Sequence, residues 1–459
     1  MNPVTHGVES AVSNTTYWIA CAIFVISFAL IVSEKIHKTK VALVGAALTL
    51  LLSITTELEA FHSPHLGVDY NVIFLLISMM IIVNVLGKSG LFEWAAVKLA
   101  KLAHGRGFPI LMMFLIFTAV FSALLDNVTT VLLFAPVTLL IADELELDPI
   151  PFLIGEALAS NIGGTATLIG DPPNLIIASR SGLSFMDFLV NLAPPAFFIL
   201  FVMIGLTWLF FRKKLRVDEA RRQRVMSMNA AKLIKDPVLA KKSVFVLSLV
   251  TVAFTLHSWT HIEPTTVSLA GAALLLLISG SDPHETLAEV EWPTIFFFIG
   301  LFIIVGGVVK VGLVRDLSQL VIHLTEPTAD SMFATSMAVL WFSGILSAFL
   351  DNIPYVATMA PLVVDMSGTV FHGGVPAGGL TTDTLHHPVL IPVWWALALG
   401  SCLGGNGTAV GASANVVVLG IAERAGHRIS FLRFMLYGVP ILILSLLVST
   451  VYLWLRYYL

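Results

Sequence analysis

Residues 160–174 read SNIGGTATLIGDPPN, and 241 positions later residues 401–415 read SCLGGNGTAVGASAN. Each string sits inside a long apolar run, 151–178 and 392–421. In a helix interior glycine costs about 1 kcal/mol and proline about 3 kcal/mol relative to alanine. Gly163, Gly164 and Gly170, followed by Pro172 and Pro173, therefore predict a helix interrupted at its centre. The second copy has Gly404, Gly405, Gly407 and Gly411 but no proline, and predicts a softer break. Unwound backbone at bilayer depth is tolerated only where it is buried in protein or lines a wet cavity. Two such breaks in related halves are a known architecture of secondary transporters, with the solute near the midplane.

The duplication extends outward in both directions. LLDNVTTVLLFAPV (124–137) returns as FLDNIPYVATMAPL (349–362), an offset of 225. VALVGAALTLLLS (41–53) returns as VSLAGAALLLLIS (267–279), and VDYNVIFLLISMMIIV (68–83) as VEWPTIFFFIGLFIIV (290–305). The larger offset at the second break implies an insertion around 368–387. Further apolar runs at 16–32, 41–56, 72–86, 190–211, 243–257, 265–278, 294–309 and 435–455 bring the expected spans to ten. The runs at 109–141 and 332–366 are each interrupted by LDN. An acid at bilayer depth is expensive on a lipid face, so each reads as a re-entrant hairpin that enters and leaves on one side. The expected fold is an all-α polytopic membrane protein, an inverted repeat of two halves. Each half has five transmembrane helices, one re-entrant hairpin and one broken helix. Residues 1–211 form the first repeat, 212–242 a basic linker, and 243–459 the second repeat.

Composition agrees. Of 459 residues, 57% are hydrophobic and only 12% charged. A soluble globular chain carries about 25% charged residues, so a soluble enzyme is excluded. The net charge of −4 argues against nucleic acid as a partner. Two cysteines, Cys21 and Cys402, exclude a disulfide framework. No basic residue precedes the first apolar run and Lys35 follows it, which reads as a retained span rather than a cleaved signal. With both termini outside and non-crossing hairpins, 21 of the 25 Lys and Arg fall inside, eleven of them between Arg212 and Lys242. The positive-inside rule then makes the central loop cytoplasmic, and the expected location is the cell (inner) membrane.

The candidate chemistry lies at the hairpin tips and the breaks. Asp126, Asn127 and Thr129 mark the first tip, Asp351 and Asn352 the second. Helix ends leave backbone groups unpaired, and a carboxylate and an amide beside them suit a cation, a proton or a polar solute. At the first break the candidates are Asn161, Gly163, Gly164, Thr165, Thr167, Asp171 and Asn174. At the second they are Gly404, Gly405, Asn406, Thr408 and Asn415. Asp126, Asp351 and Asp171 are the proton-coupling candidates, and Ala412 stands opposite Asp171 in the repeat. Glu156 and Cys402 are weaker candidates. No Walker motif is present and the histidines show no ligand spacing, so no cofactor or resident metal is expected.

At LLDNVTT, APV and SNIGGTATLIGDPPN the chain resembles the arsenite-permease and NhaD-type antiporter family of the ion transporter superfamily, which also includes the pigmentation P protein. The resemblance implies two scaffold and two hairpin regions, alternating access and a homodimer as one assembly; with no Walker motif, the expected energy source is an ion gradient or an external cytoplasmic ATPase subunit. Related dicarboxylate–sodium symporters carry neutral residues where this chain has Asp126, Asp351 and Asp171. Clustered carboxylates repel a dianion. The expected function is therefore export of arsenite or antimonite, as the neutral trihydroxide, in exchange for protons. Sodium–proton antiport is the alternative, with an anion or dicarboxylate carrier behind it.

Overall fold

The structure, a computed structural model, describes residues 13–33, 35–212, 214–328, 330–372 and 382–459. Helices dominate these residues and no strand occurs among them. The first half contains α1 (Asn14–Ser33), α2 (Lys38–Leu51), α3 (Tyr70–Lys88), α4 (Leu91–Leu102), α5 (Gly107–Leu124), α6 (Asn127–Glu144), α7 (Ile150–Thr165), α8 (Pro172–Ser181) and α9 (Phe185–Phe211). The second contains α10 (Pro237–Thr255), α11 (Pro264–Ser279), α12 (Trp292–Val311), α13 (Leu313–Thr325), α14 (Phe333–Ser347), α15 (Asn352–His372), α16 (Ile391–Gly404), α17 (Ser413–Arg424) and α18 (Phe431–Leu453). Both breaks occur where the glycine strings predict them, between α7 and α8 and between α16 and α17. Of the expected insertion, around 368–387, residues 373–381 lie outside those described.

Among the described residues, nine helices are long and apolar enough to cross a bilayer. Three of these, α5, α6 and α15, are hairpin arms, while the halves of the broken helices, α2 and α11 are all shorter than 18 residues. The predicted second span, 41–56, ends early at Leu51. Ser53 takes a positive φ of 54°, and Thr56 opens a separate short helix, Glu57–His62, through a reciprocal capping box with Glu59.

Contacts between helix ends sort the loops onto two sides. On one side Lys88 pairs with Glu289 at 3.1 Å, Lys235 with Glu93 at 3.3 Å and Arg433 with Asp148 at 3.2 Å. On the other, Lys310 pairs with Glu59 at 2.7 Å and Tyr452 donates to the Asn191 carbonyl at 2.7 Å. Burial pushes the Glu59 carboxyl up, but Lys310 and the Thr56 hydrogen bonds outweigh it and hold the group below the usual carboxylate range. Both ends of the α5–α6 hairpin meet the linker. Arg222 donates to the His104 carbonyl at 3.1 Å, and Glu146 pairs with Arg221 at 2.8 Å and Arg224 at 3.0 Å. The α14–α15 hairpin is rooted on the opposite side. Ser336 meets the Tyr458 hydroxyl at 2.6 Å, and the Phe371 ring lies 4.5 Å from that of His387.

Two bodies result. Helices α1, α2, α3, α10, α11 and α12 pack mainly on one another as a scaffold. The hairpins, broken helices, α9 and α18 form a second body around Trp394 and Trp395, which are 0% and 1% exposed. Phe188 packs edge-on to Trp395 at 5.2 Å, and Phe114 edge-on to Phe134 at 5.0 Å, a geometry aromatic pairs favour. The arm helices α4 and α13, which the apolar runs did not single out, each connect α3 or α12 to the hairpin that follows. Gly90 (φ 79°) and Gly312 (φ 96°) turn the two corners in the left-handed region, where only glycine is unstrained. The outer surface is apolar. Phe197, Leu277 and Leu436 are 73%, 82% and 76% exposed, an arrangement that costs free energy in water and none against lipid.

Candidate transport site

The duplication persists at the level of single hydrogen bonds. Ser122 lies 2.7 Å from the Ser160 carbonyl, and its counterpart Ser347 donates to the Ser401 carbonyl at 2.6 Å. Thr167 donates to the Ala123 carbonyl at 2.5 Å, and Thr408 donates to the Ala348 carbonyl. Each bond ties a break to the tip of its own hairpin. Within the breaks, Asn174 donates to the Thr165 and Thr167 carbonyls at 3.3 and 2.8 Å. Asn415 donates to the Gly405 and Thr408 carbonyls at 2.8 and 2.9 Å. These amides satisfy carbonyls that the interrupted helices leave without partners.

The two halves also meet across the breaks. Asn161 donates to Asn406 Oδ1 at 3.0 Å and Asn415 Oδ1 at 3.1 Å. Asp171, from the first break, accepts from Asn352 of the second hairpin tip at 3.2 and 3.3 Å. Asp126 caps α6, accepting from the Thr129 amide at 2.8 Å and its hydroxyl at 2.5 Å. Asp351 accepts from the Ile353 amide at 3.2 Å and also forms an ion pair with Lys38 at 2.6 Å.

A cavity of about 420 Å³ opens between the two bodies. Asp126 and Asn127 from one tip, Asp351 and Asn352 from the other, and Asp171 all line it. The scaffold adds His37 and Lys38 from the α1–α2 connection and Glu291 and Thr294 from the start of α12. The α1–α2 and α11–α12 connections lie on the linker side, so the cavity opens there. On the far side the bodies are closed against each other: Ser179 bonds to Asp69, and Arg180 donates to the His65 carbonyl at 2.9 Å.

The remaining expected site residues stand behind this cavity. Asn161, Thr165, Thr167, Asn174, Asn406, Thr408 and Asn415 are buried in the second body and bond to backbone or to one another. Asn161 Oδ1 and Asn406 Nδ2 have no partner among the described residues. A Cβ on Gly164 would lie 2.0 Å from Asn127 Oδ1, and one on Gly163 2.1 Å from the Ala119 carbonyl. In the second copy, Gly404 faces the Gly344 carbonyl at 2.7 Å and Gly405 the Ala412 Cβ at 2.9 Å. The glycines thus let hairpins and neighbouring backbone approach the breaks.

A family model described as citrate transporter matches residues 28–400. The chain belongs to the citrate transporter family. The matched model is that of this family rather than of arsenite permeases or NhaD-type antiporters, so the sequence resemblance holds at the level of the ion transporter superfamily. This family member is 46% identical to an uncharacterized transporter of Mycobacterium tuberculosis (Rv2684) over 440 residues, covering 96% of this chain and 98% of that one. It is also 32% identical to the P protein of Homo sapiens, covering 96% of this chain and 60% of that protein. Among solved structures, the YdaH transporter of Alcanivorax borkumensis aligns with a TM-score of 0.51 at 13% identity, over 96% of this chain and 98% of that one. That likeness shows a shared transporter fold. The citrate-family chain is a multi-pass membrane transporter.

The four polar residues that the scaffold of this family member brings to the cavity, His37, Lys38, Glu291 and Thr294, were not singled out from sequence. Lys38 counted only as one more basic residue in a loop, and the repeat places Pro264 opposite its position. Glu291 had a signal: it aligns with Asp69 in the duplicated VDY/VEW strings, so both halves carry an acid at the start of the same helix. Glu156 is fully buried between α6 and α7, where Thr138 donates to it at 2.5 Å, and does not line the cavity.

Proposed function

We propose that the chain is a secondary antiporter that exchanges a small uncharged or cationic solute for protons, with arsenite or antimonite as the neutral trihydroxide the leading substrate. The carrying observation is the charge of the cavity: Asp126, Asp171, Glu291 and Asp351 face it against a single lysine, Lys38. A proton can neutralise such a carboxylate and leave again on the other side, which is the minimum a proton-coupled carrier needs. An uncharged hydroxylated solute enters without charge repulsion and finds acceptors in the carboxylates and donors in Asn127 and Asn352. The same four carboxylates favour sodium as the second reading, since hard cations take oxygen ligands. Free citrate, a trianion near neutral pH, would be repelled; citrate fits this cavity only together with a cation that offsets its charge.

The opening on the linker side makes this an inward-facing arrangement if the basic linker is cytoplasmic, as the positive-inside rule requires. The test is transport in proteoliposomes under an imposed pH gradient, with arsenite, antimonite, sodium, lithium, and citrate with and without magnesium. Saturable proton flux coupled to arsenite or antimonite is the expected result. Proton flux driven by sodium alone would select the second reading. Uptake of free citrate without a cation would overturn both.

A further inference from the structure

Lys38 lies at the first position of α2, in the scaffold, yet its side chain crosses to the other body. Its ammonium is 2.6 Å from Asp351 Oδ2 and 2.8 Å from Ser413 Oγ, while Ser413 reaches the same carboxylate oxygen at 3.2 Å. The Phe297 ring of α12, itself fully buried, sits 5.0 Å from the ammonium and holds it from the scaffold side. Asp351 is on the hairpin tip and Ser413 at the start of α17, so both partners belong to the second body. Asp126, Asp171, Glu291 and His37 also face the cavity. Asp126, Asp171 and Glu291 form no ion pair among the described residues. One acid in the cavity is thus neutralised by the protein itself, and the neutralising group belongs to the other body.

Alternating access moves one body past the other, and such motion must separate Lys38 from Asp351. We propose that Lys38 is a resident counter-ion that occupies Asp351 while the cavity is unloaded, holds the carrier open on the linker side, and is displaced when a transported cation or proton takes that carboxylate. The proposal rests on the antiport reading above and makes the loading of Asp351 the event that releases the scaffold. Asp126, whose acceptor bonds come only from its own helix turn, stays available to the second exchanging species. The unequal halves acquire a reason: the first tip binds, and the second also latches.

The test reads conformation without any solute. A single cysteine is introduced by Val416→Cys, on the α17 stretch that lines the cavity, in a chain whose Cys21 and Cys402 are replaced by serine. A membrane-impermeant maleimide is applied from the linker side of sealed vesicles. Lys38→Gln should slow labelling about fivefold, the population change expected for losing a partly exposed ion pair. Asp351→Asn should slow it equally, the double variant should add nothing, and Lys38→Arg should stay near the parent rate. Labelling of Lys38→Gln at the parent rate, in protein that elutes and melts like the parent, overturns the proposal. So does an additive effect in the double variant. Because labelling needs no solute, absent proton coupling in the transport assay would remove the antiport reading while leaving the latch result interpretable.

Discussion

Asp126 and Asp351 are equivalent in the repeat, but their surroundings are not. Asp351 is paired with Lys38, whereas Asp126 accepts from Thr129 within its own helix turn. Asp126→Asn keeps the shape and most of the cap but cannot carry a proton. Proton-driven flux should fall by about two orders of magnitude, a loss typical for removing the group that transfers the proton, while solute binding persists. Parallel measurement of proton flux and solute binding checks this; undiminished coupling would put the proton path elsewhere. Glycine positions give a second residue-scale test. Gly164→Ala forces a carbon to 2.0 Å from Asn127 Oδ1, so it should destabilise the protein by about 1–3 kcal/mol and impair transport. Gly205→Ala, in α9 with nothing within 4 Å, should be neutral or gain up to about 1 kcal/mol from helix propensity. Melting temperatures in detergent separate the two.

The hairpins are legible as elements because an acid within an apolar run has few places to go. Their mouths should lie on opposite sides. Arg106→Cys and Glu146→Cys should both react with an impermeant thiol reagent from the linker side, and Asp330→Cys and Asp383→Cys both from the other. A hairpin whose two ends label from different sides is a pair of spans instead. The arm helices were hidden for a physical reason. LFEWAAVKLAKL and LVRDLSQLVIHLT interleave charged with apolar residues along the chain, so neither forms an apolar run, and a helix lying along an interface needs none. Only the corner glycines, Gly90 and Gly312, at the same offset of 222 as the preceding span, signalled them.

At the scale of the molecule, the closed side is defined by scaffold residue Asp69 meeting Ser179, with Arg180 on the His65 carbonyl beside it. Linking Asp69→Cys to Ser179→Cys with a short bifunctional thiol reagent should stop transport, and cleaving a reducible linker should restore it. Transport that continues through the cross-link would mean the bodies do not separate there. Ser227→Cys, in the linker, should react with an impermeant reagent in inside-out vesicles and stay protected in intact cells; labelling in intact cells would reverse the proposed orientation.

The membrane class, the inverted repeat, the two breaks and the two hairpins are all carried by local composition. Apolar runs, glycine and proline interruptions and buried acids are properties of the chain before it folds, and the repeat states each of them twice. Asp126, Asn127, Asp171, Asp351 and Asn352 were legible as cavity residues for that reason. Tertiary structure alone decided the rest. It set Thr167, Thr408, Asn174 and Asn415 to holding backbone, because carbonyls freed by an unwound helix inside a bilayer need partners within the protein. It brought hairpin atoms of Ala119 and Asn127 against Gly163 and Gly164. It also carried Lys38 from a loop across to the opposite body, a contact between residues 313 positions apart. A long flexible cation finds its partner through packing, and no periodicity or spacing in the chain records where that partner is.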